Sequence, residues 1–164
     1  MINFQRLEEV DGPITLLGES FSNETISDKI LSNSRFYKCE FENIIFDNVV
    51  FRKSEFSLCR FQNCQILGSD LTRVEFSNSS FTSCEFQQVD LSGSLFSKVE
   101  LSETKFEGIL LIGSILSDLK IRNTRFHDLQ FSETYPVRIN KLKKVREVRD
   151  SSSFQEILAD FYLE

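Results

Sequence analysis

The chain has 164 residues, 40% of them apolar, with 17 phenylalanines, no tryptophan and a formal net charge of −6. That size and apolar content suit one domain with a substantial core. An acidic body repels nucleic acid at long range, so no direct nucleic-acid partner is expected. No run of 18 apolar residues occurs, so neither a transmembrane helix nor a membrane partner is expected.

Residues 1–15, beginning MINFQRLEEVDGP, carry acid where a signal peptide would carry a basic region and a long apolar run. A cytoplasmic location is expected, and the segment, which includes Pro13, reads as an N-terminal edge or cap. From Leu16 a five-residue spacing of large apolar residues begins: Leu16, Phe21, Ile26 and Leu31. The position two before each of the last three holds Glu19, Glu24 and Lys29, which are costly to bury unpaired. Residues 16–33 are therefore expected to form an irregular first coil whose end is open to solvent.

From Ser34 to Glu133 one five-residue unit repeats twenty times without a break. Its centres are Phe36, Phe41, Phe46, Phe51, Phe56, Phe61, Ile66, Leu71, Phe76, Phe81, Phe86, Leu91, Phe96, Leu101, Phe106, Leu111, Leu116, Ile121, Phe126 and Phe131. A period of five fits neither a helix near 3.6 nor a strand at 2. It fits a coil in which each unit forms one side and ends in a turn. Two side chains per unit then point inward: the large centre and a compact residue two before it, such as Ser34, Ser54, Ser69, Val74 or Thr104. Cys39, Cys59, Cys64 and Cys84 all occupy that compact slot, and no CxxC spacing occurs. They read as reduced structural thiols and not as a disulfide framework or a metal site. The last position of the unit holds Asn33, Asn43, Asn48, Asn63, Asn78 and Asn123, and Gly68, Gly93, Gly108 and Gly113, residues suited to positive φ in a tight corner.

Units such as CEFEN, SDLTR and VDLSG resemble the pentapeptide-repeat proteins, whose consensus is roughly A-(D/N)-L-x-x. The resemblance covers about 100 residues. It implies an all-β solenoid, a right-handed quadrilateral parallel β-helix with four units to a coil. Five to six coils follow over residues 16–133, giving a rod roughly 24–29 Å long at about 4.8 Å per coil. Residues twenty apart then stack, which places Phe36, Phe56, Phe76, Phe96 and Leu116 in one internal column, Cys39 on Cys59 and Cys64 on Cys84. Outside, Ser57, Ser77, Ser97 and Ser117 form a hydroxyl ladder, Asn43 meets Asn63, and Glu55 lies over Glu75 and Asp70 over Asp90.

The repeat stops after Glu133, and Pro136 follows. Residues 134–164 are expected to form short helices that cap the solenoid or join two copies. In 139–150, Ile139, Leu142, Val145 and Val148 lie three apart and predict one apolar helical stripe. Ser151–Ser153 are expected to cap a second helix, with Glu156 completing a capping box and Phe154, Ile157, Leu158, Phe161 and Tyr162 on its apolar side.

No catalytic constellation is present. The one histidine, His127, stands in an outward slot, and no nucleophile–base context surrounds it. No catalytic, metal-ligating or cofactor-binding residue is expected. The anomaly outside is apolar: Leu95 and Ile115 share one outward column, with Leu110 and Ile112 on the adjoining side. These four, with Leu142, Val145, Phe154, Ile157, Leu158 and Phe161, form the candidate interface. Its occupant is either the chain's own C-terminal segment or a second copy in a homodimer. Two functions follow: a non-enzymatic solenoid that binds or scaffolds an unidentified protein, or, from the resemblance alone, an acidic DNA mimic that binds and protects DNA gyrase. Against the second stand the cations Arg35, Lys53, Arg60, Arg73, Lys98 and Lys105, interspersed with the acids.

Overall fold

The computed structural model describes residues 6–141 and 144–161. Each unit contributes a strand of three residues in which only the central side chain is buried, as in Arg35–Tyr37, Glu40–Glu42 and Ile45–Asp47. Successive strands on a face lie parallel and twenty residues apart, so Glu55, Glu75, Leu95 and Ile115 follow one another on the first face. The second and third faces hold six strands each, which gives six coils. On the fourth face single bridges link Ile30, Val50, Asp70, Asp90 and Leu110. The architecture is a four-sided parallel β-helix.

The corner positions at every fifth residue from Gly18 to Asp128 take the left-handed backbone. Asn23, Asn43 and Asn63 do so with φ of 59°, 53° and 51°, and Asn43 donates its amide to Asn23 (2.9 Å) as Asn63 does to Asn43 (3.3 Å). The corner slot imposes positive φ even on side chains that disfavour it, including Lys38, Lys53, Arg73 and Leu58 (φ 56°). An ordinary L residue is strained there by about 1–2 kcal/mol. Exchanging the exposed Leu58 for asparagine is therefore expected to raise stability by about 1 kcal/mol in a urea melt; an unchanged midpoint would show that the corner carries no strain.

The core is a set of aromatic columns. Phe36 and Phe56 stack at 4.5 Å with ring planes 2° apart, Phe61 and Phe81 at 4.5 Å, and Phe86 and Phe106 at 4.5 Å. Neighbouring columns meet edge to face, as Phe51 and Phe56 do at 5.4 Å. Both arrangements suit the ring quadrupole. Phe126 and Phe131, in the last coil, are only partly buried.

The compact slot has a hydrogen-bonding role as well as a size. Ser54 Oγ accepts from the backbone N–H of Ser34 (3.0 Å), one coil earlier, and donates to Leu31 O (2.8 Å), 23 residues back. Ser79 repeats this with Cys59 N–H and Phe56 O, and Thr104 with Cys84 N–H and Phe81 O. The cysteines take the same donor position: Cys59 Sγ reaches Phe36 O at 3.3 Å, Cys64 Sγ Phe41 O at 3.3 Å and Cys84 Sγ Phe61 O at 3.5 Å. All four thiols are free and buried. Within each stacked pair the partner thiol one coil on lowers Cys39 to about 7 and Cys64 below its ordinary value, while the paired thiol and burial push Cys59 and Cys84 up. Since serine already fills this slot in the same donor and acceptor roles, Cys59→Ser is expected to change stability by less than about 1 kcal/mol. Cys59→Val, which leaves Phe36 O without its donor, should cost about 1 kcal/mol more. Equal losses for the two variants would show that only the size of the side chain matters.

The first coil differs from the sequence expectation. Thr15–Leu17, Ser20–Ser22 and Thr25–Ser27 already pair in the twenty-residue register with the next coil, so residues 16–33 are regular. Nor is the end of this coil open. A short 3-10 turn, Leu7–Glu9, lies over it and buries Leu7 and Val10. The buried carboxylate of Glu24 is satisfied there, accepting from the backbone N–H groups of Leu7 (2.8 Å) and Glu8 (3.3 Å) at the start of the turn. Glu19 and Lys29 stay half-buried.

At the other end the first expected helix is instead a β-hairpin, Val137–Lys141 with Lys144–Val148. Its inner strand pairs in parallel with Ile115–Ser117 and sets Ile139 on Leu116, which prolongs the first internal column. The open edge of the last coil offers unpaired backbone groups, and the alternation of buried Val137 and Ile139 with exposed Arg138 lets this segment satisfy them. Leu142 and Tyr162 lie outside the described residues. One helix follows, Ser151–Leu158, and its cap is Asp150, not the serine cluster: Asp150 accepts from Ser153 N–H (2.8 Å).

Candidate interaction surface

The fourth and first faces meet at a corner that carries an open groove of about 690 Å³. The corner slot supplies its floor, because Lys53, Arg73, Gly93 and Gly113 follow at twenty-residue intervals. The residues just before them, Arg52, Thr72, Ser92 and Ile112, line one side. Tyr135, from the segment leading into the hairpin, closes the far end: its carbonyl accepts from Gly113 N–H (2.9 Å), and its side chain is 64% exposed. A Cβ on Gly93 would stand 3.3 Å from Arg73 Cγ, so the aliphatic stem of Arg73 lies against this glycine.

The charges in the groove are all positive, but they are not equally engaged. Arg52 binds Asp70 at 2.6 Å, and Asp70 also accepts from Thr72 N–H (3.0 Å) and its hydroxyl (2.8 Å). Partial burial pushes the Asp70 carboxyl up, yet the Arg52 guanidinium and the Thr72 donors hold it below its ordinary value. Asp90 is occupied in accepting from Ser92 N–H (2.8 Å). Lys53 and Arg73 make no ion pair among the described residues.

Of the ten interface residues expected from sequence, the nine that the structure describes are separated. Ile112 lines the groove, and the half-buried Leu110 is its neighbour on the fourth face. Leu95 and Ile115 pair on the first face, both half-buried. Phe154, Leu158 and Phe161 are buried in the chain's own core and are not surface, because the helix lies across the end of the last coil. Ile157 is half-buried, and Val145 is exposed on the outer hairpin strand. Tyr135 and the cations at 52, 53 and 73 were not singled out as a site by sequence; the signal available was Lys53 and Arg73 sharing one slot twenty residues apart.

Elsewhere several acids face a base one coil away, although Glu55 also stacks on Glu75 and Asp70 on Asp90. Arg35 pairs with Glu55 (3.4 Å), Arg60 with Glu40 (3.0 Å), Lys105 with Glu85 (3.4 Å) and Lys120 with Glu100 (2.5 Å). Exposed pairs of this kind contribute about 0–1 kcal/mol each. Their main effect is to break up the negative field. Among the described residues, no group of three or more His, Cys, Asp or Glu is placed to hold a metal ion, and no helix is long and apolar enough to cross a membrane. His127 is exposed.

The sequence profile of the pentapeptide repeat region matches residues 29–109. These residues belong to the pentapeptide-repeat family. A pentapeptide-repeat protein, Rfr23, of the cyanobacterium Cyanothece 51142 has 18% identity and a TM-score of 0.49, with 70% of this chain and 89% of that one covered. One from the Arabidopsis thaliana thylakoid lumen has 14% identity and a TM-score of 0.44, covering 90% and 76%. QnrB1, a plasmid-mediated fluoroquinolone resistance protein, has 15% identity and a TM-score of 0.36, covering 91% and 97%. No curated protein sequence matches the chain.

Proposed function

We propose that this pentapeptide-repeat protein is a non-enzymatic cytoplasmic scaffold that binds a protein partner along the corner between its fourth and first faces. The observation that supports this reading is the meeting, at one corner, of half-buried Ile112, exposed Tyr135 and two cations without an ion pair among the described residues. Rigid stacked coils offer such an edge without the ordering cost of a flexible loop. Capture from a native-cell extract on the immobilised protein tests it. A partner is expected that the wild-type chain retains and Ile112→Glu releases; identical captures by the two would sink the reading.

Gyrase protection by DNA mimicry is the competing function. A mimic needs a continuous anionic stripe, and the coil-to-coil pairing of Arg35, Arg60, Lys105 and Lys120 with carboxylates weighs against one. In a gyrase supercoiling assay a stoichiometric excess of the protein should therefore have no effect.

A further inference from the structure

Resting on the scaffold reading, we propose that the corner groove takes an extended acidic peptide segment with one large apolar side chain. The groove reaches from Lys53 across three further coils to Gly113 and then to Tyr135, a span of roughly 19 Å at about 4.8 Å per coil. An extended chain rises about 3.3 Å per residue, so about six residues fill it. Its two halves differ in chemistry. Lys53 and Arg73 are exposed cations without a carboxylate partner among the described residues, in a protein whose net charge is −6. Their preferred contact is a pair of carboxylates brought in by the partner. The other half has Ile112 and the exposed ring of Tyr135 beside Gly113, whose missing side chain lets a peptide backbone come close. That end suits a single aliphatic or aromatic anchor. Nucleic acid is disfavoured as the occupant, because two free cations beside an apolar half neutralise too few phosphates to hold a strand.

Fluorescence anisotropy with a fluorescein-labelled hexapeptide, Ser-Phe-Gly-Glu-Asp-Glu, and with its reversed sequence, tests the assignment. One of the two is expected to bind saturably and to weaken as salt rises from about 50 to about 300 mM. The Lys53→Glu/Arg73→Glu variant should lose at least about tenfold in affinity, since each like-charge encounter adds to the lost attraction. The Lys38→Glu/Lys98→Glu variant, altered at a different corner, should bind as the wild type does. Both variants change exposed side chains, and unchanged thermal melts would certify their folds. Absence of saturable binding by either peptide overturns the assignment, as does an equal loss in the two variants. Tighter binding of a six-nucleotide single strand would make the groove a nucleic-acid site instead. A doubled mass in light scattering that Lys53→Glu/Arg73→Glu abolishes would give it to a second copy. If Ile112→Glu abolishes partner capture while Lys53→Glu/Arg73→Glu leaves it intact, the acidic-peptide assignment fails and the scaffold reading stands. If neither variant alters capture, the scaffold reading itself fails.

Discussion

Truncating Phe56 to alanine is expected to lower the free energy of unfolding by about 3–5 kcal/mol, the range for removing a buried aromatic ring. Phe56 sits between Phe36 at 4.5 Å and Phe76 at 5.0 Å, and its edges meet Phe51 at 5.4 Å and Phe61 at 5.6 Å. A solenoid coil touches only the coils before and after it, so stability is close to a sum of coil interfaces. A hole at Phe56 weakens two of these interfaces at once. The stacked backbones on either side are held by parallel hydrogen bonds and have little freedom to collapse into it. Phe56→Leu is the informative control. Ile66 and Leu71 already serve as centres in the same coil, so leucine should cost less than about 1.5 kcal/mol. Urea denaturation of the two variants checks both values. Equal losses would mean that aromatic stacking, and not filled volume, carries the column.

Where the sequence obeyed the repeat, the fold was legible to the residue: a period of five fits a coil with a corner every fifth position, and the twenty-residue stacking followed from the four units per coil that the family resemblance implied. Two regions departed from expectation for different physical reasons. Glu24 argued for an irregular first coil, because a buried carboxylate needs donors. Those donors come from Leu7 and Glu8, seventeen and sixteen residues away, and no local pattern announces them. In the hairpin, the spacing of Ile139, Val145 and Val148 is compatible with a helical stripe. The decision belongs to the unpaired edge of Ile115–Ser117, a tertiary partner that recruits the segment as a strand.

The interaction surface was legible only in part. Outward columns follow from the repeat alone, which is how Leu95, Ile115, Leu110 and Ile112 came to be grouped. The groove beside them depends on Tyr135, which lies beyond the last repeat and is fixed by a backbone bond to Gly113. It depends also on which cations find carboxylates. Arg52 and Lys53 are adjacent in sequence, yet only Arg52 pairs with Asp70, because the side chains at 52 and 70 lie on the same face while position 53 turns the corner.

The second large effect is at the C-terminal cap, where Phe154→Ala should also cost about 3–5 kcal/mol. Phe154 is fully buried and meets Phe126 and Phe131, each at 5.5 Å, and Gln155 ties the helix down by donating to Phe126 O (3.1 Å). The core beneath is already thinner than in the middle of the rod. Phe81 is followed in its column by Leu101 and Ile121, and Phe96 by Leu116. A small apolar cavity of about 20 Å³ is left under Phe154. Removing the ring enlarges that cavity and does not merely open a new one, which places the loss toward the upper part of the range. The two aromatic substitutions should differ in where the molecule opens. Phe56→Ala weakens the middle of the stack, whereas Phe154→Ala uncovers one end. Hydrogen exchange should then lose protection in Lys120–Arg122 and Arg125–Gln130 while Arg35–Tyr37 keeps it. The uncovered aromatic end should also make the variant associate in a concentration-dependent way, since a solenoid without its terminal cap exposes its core. A Phe154→Ala protein that keeps the wild-type mass in solution and loses less than about 1 kcal/mol would mean that the hairpin alone closes the end.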